Sequence, residues 1–300
     1  RDVIEQQIKA AGEAVELPPE TSSDATIHKA IEAVRGLSRF SVEQIVAMSL
    51  SRKGLDVDSL WERKRQQIEQ TPGLKVFRDG DSFSQIGGVS VVKSFVSRVM
   101  KGDGRPNAVV FVDEIEKSIG GAKGDTSGVG QDQLGCLLSY MQDHSAAGMI
   151  FVGPPGAAKS AVAKAAGNEG GVPTIQLDLG AAKGSLVGQS EQQLRQALKV
   201  ITAVSNGRSL WIATCNSIAE LPPELRRRFT LGTFFFDLPD AEERRSIWKI
   251  WSRRMLGEVI AKNQGCSHLH YPDDDGWTGA EIRQCCDIAW RLGCPLNEAA

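Results

Sequence analysis

The sequence predicts an α/β fold in which helices surround a β-sheet. Three observations support this prediction: short apolar runs recur from about residue 81, amphipathic helices lie between them, and a glycine-rich turn joins one run to a helix. Strands that alternate with helices are typical of sheets built from strand–helix–strand units. The predicted strands are residues 108–112, 149–152, 174–177, 210–213 and 233–236.

The same patterns divide the 300 residues into three regions. Residues 1–80 are predicted to form a helical domain or arm, because they are polar and carry few strand signals. Within it, Ser41 and Asp58 are predicted to cap two helices. Residues 81–239 hold all five predicted strands. Residues 240–300 return to helical periodicity, which predicts a helical lid over the sheet.

Composition and charge argue against several classes of protein. The net charge of −2 and the pI of about 6.2 give no overall attraction to nucleic acid or to anionic membranes. No apolar run approaches the roughly 20 residues of a membrane-spanning helix. The first residue is Arg rather than Met, which is expected of a fragment or a processed form whose targeting information is missing.

The six cysteines lack the spacing of a disulfide framework, which favours reduced thiols and a cytoplasmic compartment. A zinc site is an alternative for the C-terminal cysteines and histidines. Adjacent cysteines lack the usual two-residue spacing of zinc ligands, so ordinary packing in the lid is the favoured interpretation. The residues of this alternative are Cys266, His268, His270, Cys285 and Cys286.

A glycine-rich segment follows the second predicted strand and precedes a helix that opens at Ala161. It reads Gly153, Pro154, Pro155, Gly156, Ala157, Ala158, Lys159, Ser160. This context predicts a phosphate-binding loop, because successive backbone N–H groups and a helix N-terminus bind phosphate oxygens. Lys159 is expected to reach the terminal phosphates of ATP, and Ser160 to ligate Mg²⁺. The alternative is a turn without function.

One position departs from the general phosphate-loop pattern. Ala158 stands where that pattern has glycine. We expect its methyl group to be accommodated without a left-handed backbone, since that conformation favours glycine.

Polar residues also end two other predicted strands. Asp113 and Glu114 follow strand 108–112, where Asp113 is expected in the Mg²⁺ shell and Glu114 is expected to act as the general base on the attacking water. Asn216 follows strand 210–213 and is a candidate to orient that water or to contact the γ-phosphate. The alternatives are an acidic solubilising turn and an asparagine that simply ends a strand.

Three consecutive arginines, Arg226, Arg227 and Arg228, follow a Pro-Pro-Glu-Leu segment. One interpretation is that they cap a helix C-terminus, whose partial negative charge attracts cations. The other is an arginine finger that inserts into the ATP site of a neighbouring subunit, which would imply an oligomer.

Together these motifs resemble the AAA+ ATPases, in particular the uncharacterised AAA family that occurs as a plastid and cyanobacterial open reading frame. The resemblance runs from about residue 36 to residue 292. Further segments that carry it are Ile86-Gly87-Gly88, Gly124-Asp125-Thr126-Ser127, and residues 137–142, 186–191 and 276–282.

The resemblance implies a five-stranded parallel sheet in the order 5-1-4-3-2, with the phosphate loop (Walker A) on strand 1 and the acids (Walker B) on strand 3. It implies that Ile86 and Gly87 contact adenine, and that Gly279 and Ala280 belong to the nucleotide site. It also implies an Mg²⁺-dependent ATPase that assembles into a ring, expected to be hexameric, and remodels an unknown protein partner. The expected location is the cytoplasm or the plastid stroma.

The chain departs from this family in connectivity. Its acidic strand precedes the phosphate loop, whereas the family has the reverse order. Because strands 4 and 5 stay in place, this is a transposed block and not a circular permutation. Two connections then skip one strand each, about 5 Å further, and keep a right-handed crossover.

Three side chains also depart from the family pattern. Leu186 lies where relatives that thread polypeptides carry an aromatic residue, and Glu281 lies where some branches carry a sensor arginine. Arg283 is a candidate substitute for that arginine. In the arginine stretch, Arg228 aligns with the finger, while Arg226 and Arg227 are alternatives for the second position.

Two other functions compete with the remodelling ring. One is a nucleotide-gated scaffold with weak turnover. The other is a nucleic-acid motor, which the short basic stretches of this chain do not favour, because such motors carry an extended basic groove.

Overall fold

The computed structural model describes residues 1–14, 17–77, 81–119, 129–144, 146–181, 189–262 and 271–300. Its helices are α1 (Asp2–Ala14), α2 (Asp24–Val34), α3 (Arg39–Ser49), α4 (Val57–Glu69), α5 (Ser90–Lys101), α6 (Ile115–Ile119), α7 (Val129–Asp143), α8 (Lys159–Gly170), α9 (Gln189–Ser205), α10 (Pro223–Arg226), α11 (Ala241–Lys262), α12 (Gly279–Leu292) and α13 (Leu296–Ala299). Its strands are β1 (Leu50–Ser51), β2 (Gly54–Leu55), β3 (Leu74–Phe77), β4 (Ala108–Val112), β5 (Ala147–Val152), β6 (Thr174–Leu177), β7 (Ser209–Cys215) and β8 (Gly232–Phe235).

Six strands form one sheet in the order β3-β6-β4-β7-β5-β8. The strands from β6 to β8 are parallel, and β3 pairs antiparallel with β6 at one edge. In the centre of the sheet, Val110 of β4 lies opposite Trp211 of β7, and Ile150 of β5 lies opposite Ala213. The central strands are buried on both faces, which explains why they read as continuous apolar runs in the sequence.

The α/β prediction is confirmed, and all five predicted strands are present. The purely parallel, five-stranded sheet is wrong, because β3 adds a sixth and antiparallel strand from the segment predicted to be helical. In β3, buried Leu74 and Val76 alternate with exposed Lys75. This period of two is typical of a strand, but it lasts only four residues, too few to outweigh the helical pattern around it.

Helices cover both faces of the sheet. Residues of α7 and α9, such as Leu137, Leu194 and Ile201, pack with Val110 and Trp211 on one face. Helices α5 and α8 pack on the other face. Helices α1 to α4 have a hydrophobic cluster of their own, and so do the lid helices α11 to α13.

Two predicted helix starts are wrong by a few residues. Helix α3 is capped by Ser38, whose Oγ accepts the Ser41 N–H at 3.2 Å. Helix α4 is capped by Asp56, whose Oδ1 accepts the N–H groups of Asp58 and Ser59, each at 3.1 Å. In both cases the cap is the residue with an extended backbone just before the first turn, as capping geometry requires. Over the described ranges, no helix is both long and apolar enough to cross a bilayer.

Candidate functional site

Three neighbouring strands, β4, β7 and β5, direct their carboxyl ends to the same edge of the sheet. A cavity of about 480 Å³ lies at this edge, between the strand ends and the lid. The sequence-predicted residues that line it are Ile86, Gly87, Asp113, Glu114, Pro155, Gly156, Ala157, Ala158, Lys159, Ser160, Ala161, Asn216, Gly279 and Ala280. The structure thus brings together residues predicted from five separate segments of the chain.

The loop after β5 is shaped by close contacts at its glycines. Gly153 passes so near the next strand end that a Cβ would lie 2.1 Å from the Phe236 carbonyl oxygen. Gly156 has a φ of 81°, and a Cβ there would lie 2.8 Å from the Thr278 hydroxyl of the lid. Any side chain at either position would collide with a neighbouring segment, so the loop depends on both glycines.

Ala158 corrects the prediction made for it. Its φ of 66° and ψ of 10° place it in the left-handed region, where it precedes the first residue of α8. This conformation costs an alanine roughly 1–2 kcal/mol, because its Cβ approaches the following carbonyl oxygen. Ala158 is the residue at which the loop after β5 enters α8.

Backbone strain is concentrated near this cavity. Among the described residues, four other than glycine have a left-handed φ: Val89, Glu114, Ala158 and Asn206. Glu114 and Ala158 line the cavity, and Val89 follows the Ile86–Gly88 turn. Strained residues cluster at functional sites when the surrounding structure enforces them, so this distribution points to the cavity.

Lys159 is buried and its ammonium is fully engaged. Its Nζ donates to the carbonyl oxygens of Gly153 at 2.6 Å and Pro154 at 2.7 Å, and to Asn216 Oδ1 at 3.1 Å. Burial lowers the pKa of Lys159, while the charges of Cys215 and Glu116 act in the opposite direction. Gly153 and Pro154 do not line the cavity, and their carbonyl oxygens hold the Lys159 ammonium in position.

The phosphate-loop serine is joined directly to the acidic strand. Asp113 Oδ1 accepts the Ser160 hydroxyl at 2.7 Å and the Thr214 hydroxyl at 2.6 Å. Thr214 Oγ1 in turn accepts the Glu114 N–H at 3.0 Å. Thr214 was missed in the sequence, although a hydroxyl residue two positions before Asn216, at the end of a buried strand, was a usable signal.

The donor set suits a magnesium ion. Ser160 supplies a hydroxyl oxygen and Asp113 a carboxylate within hydrogen-bond distance of it, and both are hard oxygen ligands. Across the described ranges, no cluster of three or more His, Cys, Asp or Glu could hold a metal ion. Mg²⁺ is commonly held by one or two carboxylates together with substrate phosphates.

Two acidic side chains follow Asp113, and they differ in environment. The Glu114 carboxylate is partly exposed and pairs with the Lys117 ammonium at 2.6 Å. Glu116 is 3% exposed, and its Oε1 accepts the Asn216 N–H at 2.9 Å. Sequence reasoning assigned no role to Glu116, because an acid after two others reads as part of an exposed turn.

The opposite end of the cavity lies between the Ile86–Gly87 turn and the lid. Gly87 lies so close to α11 that a Cβ would be 2.5 Å from Ile247 Cγ1. The Lys93 ammonium donates to the Ile86 carbonyl at 2.7 Å, which fixes the turn. Trp251, one helical turn after Ile247, also lines the cavity and was missed in the sequence.

The departures at the lid have a structural explanation. Glu281 accepts the Thr278 N–H at 2.7 Å and the Thr278 hydroxyl at 2.8 Å, completing a capping box at the start of α12. The Thr278 N–H lowers the pKa of Glu281, as expected for a capping carboxylate. Arg283 lines the cavity, and its guanidinium lies 5.0 Å from the centre of the Trp251 ring.

The predicted arginines do not line this cavity. Arg228 Nη2 donates to Gln142 Oε1 at 2.7 Å, and its Nε is buried without a partner among the residues that the structure describes. Arg226 and Arg227 are exposed. Both the capping and the finger interpretations stay open for all three.

Several predicted features lie outside the described residues. These are the 124–127 loop, Leu186 and its loop, and the histidines and Cys266 of the zinc alternative. Cys285 and Cys286 are buried in the lid core, and burial raises the pKa of the Cys286 thiol to about 12.

Comparison with known families tests the resemblance. Residues 149–206, which include most of β5, the phosphate loop and α8, match the model described as "ATPase family associated with various cellular activities (AAA)". The resemblance to the AAA ATPases is confirmed. Residues 1–71 match a second model, described as "SpoVK-like AAA ATPase, second domain". The AAA resemblance therefore reaches the N-terminal helices, beyond the span inferred from motifs.

Curated relatives extend the match along most of the chain. The chain is 28% identical over 301 residues to an uncharacterised AAA domain-containing protein, ycf46, of Gracilaria tenuistipitata var. liui, covering 86% of this chain and 54% of the relative. Proteins of the same name from Guillardia theta and Trieres chinensis are 26% and 25% identical, covering 85% and 84% of this chain. The chain spans about half the length of the curated relatives it matches.

Among solved structures, the chain is similar to the AAA domain of FIGL-1 in complex with ADP. The two are 15% identical, the TM-score is 0.40, and the match covers 76% of this chain and 79% of that chain.

Proposed function

We propose that this chain binds ATP with Mg²⁺ in the 480 Å³ cavity and hydrolyses it. The observation that carries the proposal is the bond from the Ser160 hydroxyl to Asp113 Oδ1 at 2.7 Å. It joins a phosphate-type loop to an acidic strand end at one sheet edge. Both parts are needed for phosphoryl transfer, which depends mainly on positioning and electrostatic stabilisation.

The loop N–H groups and the start of α8 would bind the phosphates, and Ser160 and Asp113 would hold the Mg²⁺ ion. Bound there, Mg²⁺ would neutralise charge on the β- and γ-phosphate oxygens. Lys159 would exchange a carbonyl contact for a terminal phosphate oxygen. Asn216, which already contacts Lys159, would then face the γ-phosphate.

Glu114 is the proposed general base. Its carboxylate lies at the cavity and is ion-paired with the Lys117 ammonium. Release of this exposed pair costs little, because water screens the attraction between exposed charges. The freed carboxylate would accept a proton from the attacking water.

We also propose that the acidic strand and its helix are a transposed block of the AAA+ fold. In sheet order, β8, β5, β7, β4 and β6 correspond to strands 5, 1, 4, 3 and 2 of the family. Along the chain, β4 comes before β5, so the acidic strand occupies its family position by different connections. The proposed regions are a helical segment of residues 1–80, a nucleotide-binding core of residues 81–239 and a helical lid of residues 240–300. Strand β3 belongs to the first region and pairs with β6 of the core.

Assembly into a ring and remodelling of a protein partner are the further parts of this proposal. Arg228, two residues after the end of α10, is the proposed arginine finger, and Arg226 and Arg227 are the alternatives for the second position. Exposure of Arg226 and Arg227 supports a role in contact with a neighbouring subunit. The Nε of Arg228, which is buried and has no partner among the described residues, also supports it, since such groups are rare.

A nucleotide-gated scaffold is the second candidate function. It is favoured by the engagement of Glu114 with Lys117, which holds the proposed base in an ion pair. A scaffold would bind ATP and ADP but release phosphate slowly. Measured turnover separates the two candidates.

The proposal is tested by calorimetric titration of the protein with ATP, in the presence of Mg²⁺ and then with the Mg²⁺ chelated, alongside phosphate release. We expect Mg²⁺-dependent binding and measurable turnover. Binding without turnover would support the scaffold, and the absence of binding to ATP and ADP would overturn both.

A further inference from the structure

Glu116 is an unusually buried acid beside the proposed nucleotide site. It is the second residue of α6 and is 3% exposed. One carboxylate oxygen, Oε1, accepts the Asn216 N–H at 2.9 Å. The other, Oε2, is buried and has no hydrogen-bond partner among the described residues. Burying a carboxylate with a single partner is costly, so its presence calls for an explanation.

The N–H that Glu116 accepts belongs to a residue at the centre of the site. Asn216 follows the last residue of β7, and its side-chain Oδ1 accepts from the Lys159 ammonium at 3.1 Å. The backbone bond to Glu116 and the side-chain bond to Lys159 are therefore made by one residue. Together they fix the position of the Asn216 backbone and the direction of its side-chain amide.

A residue of β7 two positions before Asn216 also contacts this acidic segment. Thr214 donates to Asp113 Oδ1 at 2.6 Å and accepts the Glu114 N–H at 3.0 Å. Glu116 thus makes the third tie between the β4–α6 segment and the end of β7, and the only one of these that reaches Asn216. Without it, Asn216 would rely on its contact with Lys159.

We propose that Glu116 is a positioning residue that holds Asn216 against Lys159, so that the amide faces the reacting phosphate. This rests on the proposed ATPase function. It gives Glu116 no contact with the nucleotide and no part in proton transfer. Its effect should appear in turnover, since misplacement of a positioned group by about 1 Å can cost on the order of 10²-fold in rate.

The chain offers a matched control for this contact. Glu69 Oε1 accepts the Val76 N–H at 3.0 Å, which is the same type of carboxylate-to-backbone bond, at the far edge of the sheet. Glu69 does not line the cavity. The experiment compares Glu116→Leu and Glu116→Gln with Glu69→Leu. Leu removes the acceptor at similar volume, whereas Gln keeps one acceptor oxygen, replaces the other by an NH2 group and removes the charge.

The first measurement is amide hydrogen exchange of the 209–217 segment in protein without added nucleotide. We expect faster exchange at Asn216 in Glu116→Leu, near-normal exchange in Glu116→Gln, and no change there in Glu69→Leu. This measurement does not depend on ATP turnover. If the wild type neither bound nor hydrolysed ATP, the proposed function would fail while this result still decided whether Glu116 holds Asn216.

The second measurement is steady-state ATP hydrolysis. We expect kcat to fall about 10- to 100-fold in Glu116→Leu with KM within about threefold, and Glu116→Gln to restore most of kcat. Equal loss in Glu69→Leu would indicate a general effect on the fold and overturn the proposal. Unchanged exchange and kcat in Glu116→Leu, or a Gln variant as impaired as Leu, would overturn it as well. If Glu116→Leu does not fold, Glu116→Asp replaces it, because the shorter side chain withdraws the acceptor by one methylene. We expect Glu116→Asp to lose part of kcat and part of the exchange protection at Asn216. If neither kcat nor this protection fell, the proposal would be overturned.

Discussion

Ser160 and Asp113 are 47 residues apart in the chain, yet the Ser160 hydroxyl donates to Asp113 Oδ1 at 2.7 Å. Asp113 precedes Ser160, so the acidic strand comes before the phosphate loop in the chain. The contact forms because β4 and β5 flank β7 and all three run in the same direction. The geometry of the site depends on which strands are neighbours and on their direction, and the order in which the chain supplies them is secondary.

Removal of the Lys159 ammonium should abolish most nucleotide affinity. In Lys159→Met, ATP affinity measured by calorimetry is expected to fall roughly 10- to 100-fold, because a hydrogen bond to a charged group contributes about 1.5–3 kcal/mol. The matched control is Lys164→Met on the same helix, whose ammonium lies over the Phe111 ring instead of in the cavity. Wild-type affinity in Lys159→Met would show that the loop has been misinterpreted.

Glu114→Gln should separate binding from hydrolysis. It keeps the size and a polar tip but loses basicity, so turnover is expected to fall by about 10²–10⁴ while ATP affinity is retained. Lys117→Ala provides the control, since it frees the Glu114 carboxylate from its ion pair and should leave turnover equal or higher. Turnover that is unchanged in Glu114→Gln would remove Glu114 as the general base.

Ala158→Gly should not harm the protein, although it changes the phosphate loop. Glycine relieves about 1–2 kcal/mol of left-handed strain but adds about 0.4–1 kcal/mol of entropy to the unfolded chain. We expect the free energy of unfolding, measured with urea, to be unchanged or to rise by up to about 1.6 kcal/mol. Ala161→Gly, in the first turn of α8, is the control and should lower it by up to about 1 kcal/mol.

The sequence was most informative where local chemistry decides the structure. The apolar runs of β4, β5 and β7 are buried on both faces, so their composition alone marks them as strands. The phosphate loop was equally clear, because a strand, a glycine-rich turn and a helix must follow one another for phosphates to bind.

The sequence was least informative where distant contacts decide. Strand β3 exists because β6 offers an edge, and Glu116 is buried because α6 packs under the end of β7. The alternation in β3 lasts only four residues, and the burial of Glu116 leaves no periodic signal. Ala158 is left-handed where the loop after β5 enters α8, and no propensity scale reports that.

Lys64 predicts a pH dependence of stability. It is buried in α4, and burial, followed by the charge of Arg35, lowers its pKa from 10.5 to about 8, against the opposing effect of Glu32. Between pH 8 and 10.5 the unfolded chain binds the extra proton, so stability rises with pH in this window. Below pH 8 the folded protein bears the full cost of the buried charge, at most about 3 kcal/mol.

Lys64→Met should therefore raise the free energy of unfolding at pH 7 by about 1–3 kcal/mol, with a gain that shrinks as the pH approaches 10. Denaturant unfolding at several pH values measures this. Lys29→Met, an exposed position on α2, is the control and should change stability little at any pH. A gain that does not vary with pH would show that packing, and not the buried charge, sets the cost.

Arg228 tests whether the protein works as an assembly. Its Nη2 donates to Gln142 Oε1 at 2.7 Å within the same chain, and it does not line the cavity. An arginine finger contributes about 10³–10⁵ in rate, whereas capping a helix end contributes about 0.3–1 kcal/mol of stability. We expect Arg228→Ala to lose nearly all turnover while ATP affinity and the melting temperature stay close to those of the wild type.

The two interpretations also differ in what the partner residue and a mixed assembly should do. Gln142→Ala removes the intrachain partner of Arg228. It should reduce turnover as Arg228→Ala does only if the contact between Arg228 and Gln142 is what turnover depends on. A finger acts on a neighbouring subunit, so a mixture of Arg228→Ala and Lys159→Met should regain part of the activity, because Arg228→Ala contributes an intact cavity and Lys159→Met an intact finger. Near-normal turnover in Arg228→Ala, independent of protein concentration, would leave the arginines as a helix cap and remove the main argument for a ring.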